Sequence, residues 1–149
     1  MSHEGGFLGG AVARWRGVVD EEAAAREHAR ELLRFTGLEA SAEQRSSDLP
    51  FGWQRFLEIA RALASEPKLL LLDEPASGLN AVETNQLGEL LLKIRDRGVT
   101  LLLVEHDMSL TMGVSDHILV LHQGMRLAEG TPQEIQSNDA VIGAYLGRE

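Results

Sequence analysis

Apolar residues recur along this chain with two different periods, and the changes of period mark out its elements. From Asp20 to Phe35 the pattern predicts a helix, with Asp20 as N-cap, an acidic first turn and Gly37 as its stop. The glycine-rich stretch before it, Met1 to Gly17, reads as an irregular start, and its Gly5-Gly6 and Gly9-Gly10 pairs as flexible chain. Glu39 to Asp48 is polar and reads as a linker. A second helix is predicted from about Trp53 to Ser65. Phe56, Ile59, Ala60 and Leu63 fall on one face of it, and Arg55, Glu58 and Arg61 on the other.

Beyond Pro67 the period changes. After Lys68, Leu69 to Leu72 is a short, unbroken apolar run, the pattern of a strand buried on both faces of a parallel sheet, although periodicity alone does not separate it from a buried helix. Asn80 to Arg97 predicts a helix, capped by Asn80 with Glu83 three residues on, and carrying a stripe of Leu87, Leu90, Leu91 and Ile94. Gly98 ends it, and Val99 to Val104 is a second buried-type strand. The order strand, helix, strand predicts a parallel crossover unit, hence an α/β fold. Ile118 to Leu121 and Met125 to Ala128 predict a hairpin turning at Gln123-Gly124. Gly130-Thr131-Pro132 opens a last short helix, and Val141 to Leu146 is an apolar tail.

Composition narrows what such a fold can do. With 44% hydrophobic residues in 149, there is enough apolar material for one real core. Fourteen basic against twenty-three acidic residues give a net charge of −9, which argues against sequence-independent nucleic-acid binding. There is no cysteine, so disulfides and thiolate metal sites are excluded. No apolar run approaches the roughly 20 residues that cross a bilayer. No signal-peptide pattern opens the chain. The expectation is a cytoplasmic protein whose membrane contact, if any, runs through a partner.

Three places carry candidate chemistry. Leu69 to Leu72 runs into Asp73, Glu74 and Pro75, at the carboxyl end of a strand, where open α/β sheets bind ligands. Asp73 suits Mg²⁺ held through its water shell, and Glu74 suits the polarising of a water for attack on phosphorus. The same residues would also serve as an ordinary solvated strand end. His106, just past the second strand, suits a hydrogen bond to a phosphate oxygen or to that water. Leu49-Pro50-Phe51-Gly52-Trp53-Gln54-Arg55 leads through a turn into a helix N-terminus, a natural anion position, although Pro and Gly at a helix entry need no ligand.

Taken together, these blocks resemble the ATP-binding cassettes of ABC transporters, in the same order and with similar spacing. Leu49 to Arg55 resembles the signature motif. Leu69 to Glu74 resembles the Walker B strand with its catalytic glutamate. Ser77, Gly78, Leu79 and Asn80 resemble the D-loop, and His106 the switch histidine. The resemblance runs from about Ala23 to the C-terminus. It implies a P-loop NTPase-like α/β fold of which this chain is the C-terminal part: a parallel sheet with flanking helices, a remnant of the helical subdomain and a C-terminal hairpin. The implied division is residues 1–52 as that remnant, 53–130 as half of the ATPase core and 131–149 as a helical extension.

The resemblance also implies ATP and Mg²⁺ as ligands, a second cassette and transmembrane permease subunits as partners, and a peripheral place on the inner face of the plasma membrane. Glu74 and His106 would be catalytic and Asp73 would serve the metal. Leu49, Pro50, Phe51, Gly52, Trp53 and Gln54, with Ser77 to Asn80, would meet nucleotide. The Leu-Pro-Phe-Gly form of the signature, Glu105-His106-Asp107-Met108, and the tail from Gly130 to Gly147 are most similar to cassettes of branched-chain amino-acid importers, the LivG type. Urea and lipopolysaccharide-export cassettes have similar tails. Chromosome-maintenance and DNA-repair ATPases share the motifs, but they carry a long heptad-rich segment before the signature, where this acidic chain has about one helix.

Departures from the family pattern matter at four places. No G-x-x-x-x-G-K-[ST] occurs: Lys68 lies between Pro67 and Leu69, and Lys93 between Leu92 and Ile94. The Q-loop has no counterpart either, so the expectation is a chain that begins inside the helical subdomain and has negligible ATPase activity alone. Pro50 stands where Ser is common and Trp53 where a polar residue is usual, which leaves nucleotide contacts to backbone N–H groups near Gly52. Asn80 replaces the usual D-loop aspartate. A parallel sheet lacking its N-terminal half would expose apolar surface, so marginal stability or association with another chain is expected. A non-catalytic fragment that pairs with a complete cassette is the alternative role.

Overall fold

The computed structural model describes residues 6–146, with side chains for 21–145. Met1–Gly5 and Gly147–Glu149, and with them the first residues of the glycine-rich start and the end of the tail motif, lie outside the described residues. Two compact units divide between Pro67 and Lys68.

The first unit is helical. Helix α1 runs from Gly6 to Phe35, so the predicted start at Asp20 is wrong: Asp20 lies inside the helix, and most of the glycine-rich stretch is helical too. An acidic residue ahead of an alanine run marks a helix start only when the preceding residues cannot continue the helix. Here Ala11 to Val19 are mostly competent helix residues, and the scattered glycines cost only about 1 kcal/mol each. The chain leaves α1 through Thr36, whose buried hydroxyl donates to the Leu32 carbonyl at 3.0 Å. The predicted linker is folded into two single 3-10 turns, Glu39–Ser41 and Ser46–Asp48. Helix α2, Phe51–Leu63, starts two residues earlier than predicted and packs against α1. Its expected apolar face of Phe56, Ile59, Ala60 and Leu63 is buried.

The second unit is α/β. Strand β1 (Leu69–Asp73), helix α3 (Ala81–Asp96) and strand β2 (Thr100–Val104) form the predicted parallel crossover, in register from Leu69↔Thr100 to Asp73↔Val104. All four residues of the predicted α3 stripe are buried, Leu87 and Ile94 completely. The strands depart from expectation in one respect. The runs read as strands buried on both faces, yet alternation puts Leu69, Leu71, Leu102 and Val104 on an open face, each more than half exposed. Among the described residues no element covers that face.

A short helix that the sequence pattern did not predict, α4 (Met108–Val114), follows β2 and packs against α3. Gly88 permits this approach: a Cβ there would lie 3.2 Å from Leu110 Cδ1. Strands β3 (Ile118–His122) and β4 (Met125–Gly130) form the expected hairpin, with a register shift after Val120. Gln123 and Gly124 both take positive φ, +50° and +77°, as a two-residue turn matched to strand twist requires. Helix α5 (Pro132–Gln136) and the turn α6 (Asp139–Val141) fold onto β4. They close a second core of Ile118, Val120, Ile135 and Val141. The predicted apolar tail ends in one π-type turn, Ile142–Leu146, tied back where the Tyr145 hydroxyl donates to the Leu121 carbonyl.

Candidate functional site

The carboxyl ends of β1 and β2 bring the predicted chemistry of the second unit together. Asp73 is the last residue of β1, opposite Val104 in the register, and exposed. Glu74 follows with φ +44°, a left-handed conformation that costs a non-glycine residue roughly 1–3 kcal/mol. Three neighbouring contacts hold it there. The Glu74 N–H donates to the Val104 carbonyl at 2.8 Å, its own carbonyl accepts from Ser77 N–H at 3.1 Å, and Pro75 and Ala76 behind it are buried. The outcome is a kinked strand end that places the Glu74 carboxylate, 54% exposed, 3.7 Å from the Nδ1 of His106. The His106 ring is itself 71% exposed.

His106 stands at the head of β2, followed directly by Asp107, whose carboxylate caps α4 by accepting from Leu110 N–H at 2.9 Å. A single residue, Glu105, separates the end of the strand from the histidine. Glu105 has no role in the sequence reading. Strand alternation turns it to the covered face, with Leu101 and Leu103, and its side chain is only 1% exposed. Its Oε1 lies 4.0 Å from His106 Nδ1, and its Oε2 is buried with no hydrogen-bond partner among the described residues. A buried acceptor left unmatched costs about 1–3 kcal/mol. The available signal was an acid immediately before a strand-end histidine, on the strand's apolar parity.

The D-loop-like segment is partly occupied by folding. Ser77 and Gly78 are exposed, and Gly78 takes φ +80°, which fixes a glycine there. Leu79 is half-buried. The Asn80 side chain accepts from the Val82 and Glu83 N–H groups, each at 3.0 Å, while Glu83 accepts from Asn80 N–H at 2.9 Å. Asn80 is therefore spent on a capping box, where it serves as well as aspartate would.

In the first unit, the entry to α2 has Pro50 as N-cap and no side-chain cap, which leaves its first N–H groups open. Gly52 is buried within the turn, and Leu49 is 7% exposed, so Leu49 offers a ligand only its backbone. The Gln54 amide donates to the Leu49 carbonyl at 2.9 Å and closes the turn. Phe51 and Trp53 remain on the surface, 55% and 40% exposed, with the Arg55 guanidinium 5.3 Å from the Phe51 ring centre.

Asp73, at the strand end, suits Mg²⁺. Asp73 presents a carboxylate with no hydrogen-bond or ion-pair partner among the described residues, and a Mg²⁺ bound through one carboxylate, waters and phosphate needs no more from the protein. Among the described residues no three metal-ligating side chains converge. Among them, too, no helix is long and apolar enough to cross a membrane.

The chain is similar to known proteins in both sequence and fold. The family model described as ABC transporter matches residues 7–77, and the one described as branched-chain amino acid ATP-binding cassette transporter matches residues 126–149. The high-affinity branched-chain amino acid transport ATP-binding protein LivG of Salmonella typhimurium is 50% identical over 124 residues, 83% of this chain and 49% of that protein. BraF of Pseudomonas aeruginosa, described in the same words, is 49% identical over 127 residues, 85% of this chain and 50% of its own. The lipopolysaccharide export system ATP-binding protein LptB of Acidithiobacillus ferridurans is more distant, at 35% over 122 residues, 82% of this chain and 51% of that protein.

Among solved structures, the ADP conformation of the cassette MJ1267 matches with a TM-score of 0.73 at 28% identity, covering 82% of this chain and 50% of that one. The chain spans about half the length of the curated relatives it matches. By this similarity in sequence and fold, the chain belongs to the ATP-binding cassette family of ABC transporters.

Proposed function

We propose that this chain supplies the hydrolytic end of a nucleotide site in an ABC-transporter cassette that powers branched-chain amino-acid import. The observation that carries the reading is the approach of Glu74 and His106 to 3.7 Å at the carboxyl ends of two adjacent parallel strands. Glu74 accepts a hydrogen bond from the attacking water and polarises it toward the γ-phosphorus. His106 holds that water or a γ-phosphate oxygen and keeps the glutamate in place. Asp73 anchors Mg²⁺ through a bound water. The metal, when present, neutralises charge developing on the β- and γ-phosphate oxygens.

The uncapped start of α2 offers its N–H groups to ATP held by a second cassette. Ser77 and Gly78 line the face between the two, with Leu79 and Asn80 setting that turn. The branched-chain assignment is supported by the LivG and BraF similarity and by the C-terminal match. The same similarity supports a permease partner and a place at the inner membrane face.

Since the chain contains no P-loop lysine motif, it turns over ATP negligibly alone. The test has two arms. Purified chain is assayed for ATPase activity beside Glu74→Gln; robust turnover abolished by that variant would overturn the dependence on another chain. Titration into a complete cassette is expected to alter its ATP binding or turnover, and Gly52→Asp to remove the effect. No change on titration would sink the pairing.

A further inference from the structure

We propose that Glu105 is a positioning residue for His106, holding the imidazole by its Nδ1 side so that Nε2 is the nitrogen presented to nucleotide. The inference rests on the reading of His106 given above and adds a residue to it. Two carboxylates face the same ring nitrogen: Glu74 Oε1 at 3.7 Å and Glu105 Oε1 at 4.0 Å. They differ in freedom. Glu74 is 54% exposed and sits on a kinked turn, whereas Glu105 is 1% exposed and fixed by the alternation of β2. Water can solvate the first. It cannot reach the second, whose Oε2 has no partner among the described residues.

A carboxylate in that position favours a proton on the nitrogen it faces, since the partner of one ring nitrogen sets the state of the other. The same logic lets a buried aspartate orient the histidine of a serine-protease triad without taking its proton. The consequence here is a division of labour. When Glu74 turns to polarise water, it can no longer steady the ring, and Glu105 still does. In the neutral ring Nε2 then accepts from the attacking water, and only when the ring is protonated does it donate to a phosphate oxygen.

The experiment reads the tautomer of His106 directly and needs no ATP, so its failure is separable from failure of the catalytic reading. Long-range ¹H–¹⁵N imidazole spectra of the full chain are recorded at a pH alkaline enough to neutralise an ordinary histidine, with His106→Gln identifying the signal. In the wild type the Nδ1–H tautomer should predominate, against the Nε2–H preference of free histidine. In Glu105→Gln the Nδ1–H to Nε2–H ratio should fall roughly fivefold, since the substitution removes the carboxylate's Coulomb attraction for a proton on Nδ1 at 4.0 Å. Glu105→Leu should lower it further, and Glu74→Gln should lower it less than either. A wild-type ring in the Nε2–H form overturns the proposal even if the Glu105 variants do not fold. So does an unchanged ratio in Glu105→Gln, or a ratio that collapses in Glu74→Gln alone.

Discussion

The two β ribbons of the second unit are built from similar residues and meet different fates. β3 and β4 place Ile118 and Val120 inward, and the chain that follows them returns to cover that face with Ile135 and Val141, which are 1% and 0% exposed. β1 and β2 are more apolar, Leu69 to Leu72 and Leu101 to Val104, and α3 covers one face only. Leu71 and Leu102 on the other face are 64% and 57% exposed. The difference teaches what an unbroken apolar strand encodes. It encodes a demand for cover on two sides, while an alternating strand needs cover on one and can be completed by the next few residues. Of the proposed site, Asp73, Glu74 and His106 stand at the ends of the incompletely covered ribbon, and the self-sufficient one carries none of it.

Substitutions can break or sharpen this contrast. The largest effect is expected beneath α3: Ile94→Ala, at a fully buried position, should cost about 2–5 kcal/mol in denaturant unfolding. Ile135→Ala, which opens the core of the other ribbon, should cost about as much, and should loosen the hairpin first in hydrogen exchange.

A smaller loss, about 0.5–2 kcal/mol, is expected for Thr131→Ala, which removes the cap that accepts from Glu134 N–H. Gly130→Ala should act on the same box. Its Cβ would lie 2.6 Å from Glu134 Oε2, the atom that accepts from Thr131 N–H at 2.7 Å. Leu71→Ser on the open face should change stability by no more than about 0.5 kcal/mol in a monomer. A loss as large as that of Ile94→Ala would mean that another molecule covers the face in solution, and analytical ultracentrifugation would then show the associated species.

The smallest effect is a pH dependence at the self-sufficient ribbon and the helix that follows it. Hydrogen bonds from the Thr131 backbone and side chain hold the Glu134 carboxyl below its ordinary value of 4.5. Glu129 is lowered first by its hydrogen bond with His117 and then by the charge of Arg126. Folded values below unfolded ones mean that both contributions are complete above the ordinary carboxylate range and are lost as pH falls below about 4.5 through the depressed values. Glu134→Gln should flatten that acid limb in circular dichroism. Both groups are surface groups, so salt should weaken the effect.

The elements of the second unit were legible because they carry local signals. The α3 stripe with Asn80 and Glu83, the Gln123-Gly124 turn and the helix opening at Thr131-Pro132 each lie within a few residues of sequence, and each is where the pattern put it. α1 was misplaced because a start signal at Asp20 carries no information when helix-competent residues precede it. α4 was passed over although Asp107 caps it, because its seven residues are too few to display a period. Of the site, the sequence named the strand-end residues and the order of the motifs. It could not show that Gln54 is already engaged in holding its turn, since a side chain's partner is a matter of orientation.

The sequence by itself determined the alternation of strand and helix, the acids and histidine at strand ends and the absence of a P-loop lysine motif, all of which are properties of order along the chain. Tertiary structure alone decided which strand face is open, that Glu74 sits in a left-handed kink beside His106, and that Glu105 is buried behind the ring. Burial and approach depend on what folds back against a residue, and no local pattern of neighbours contains that.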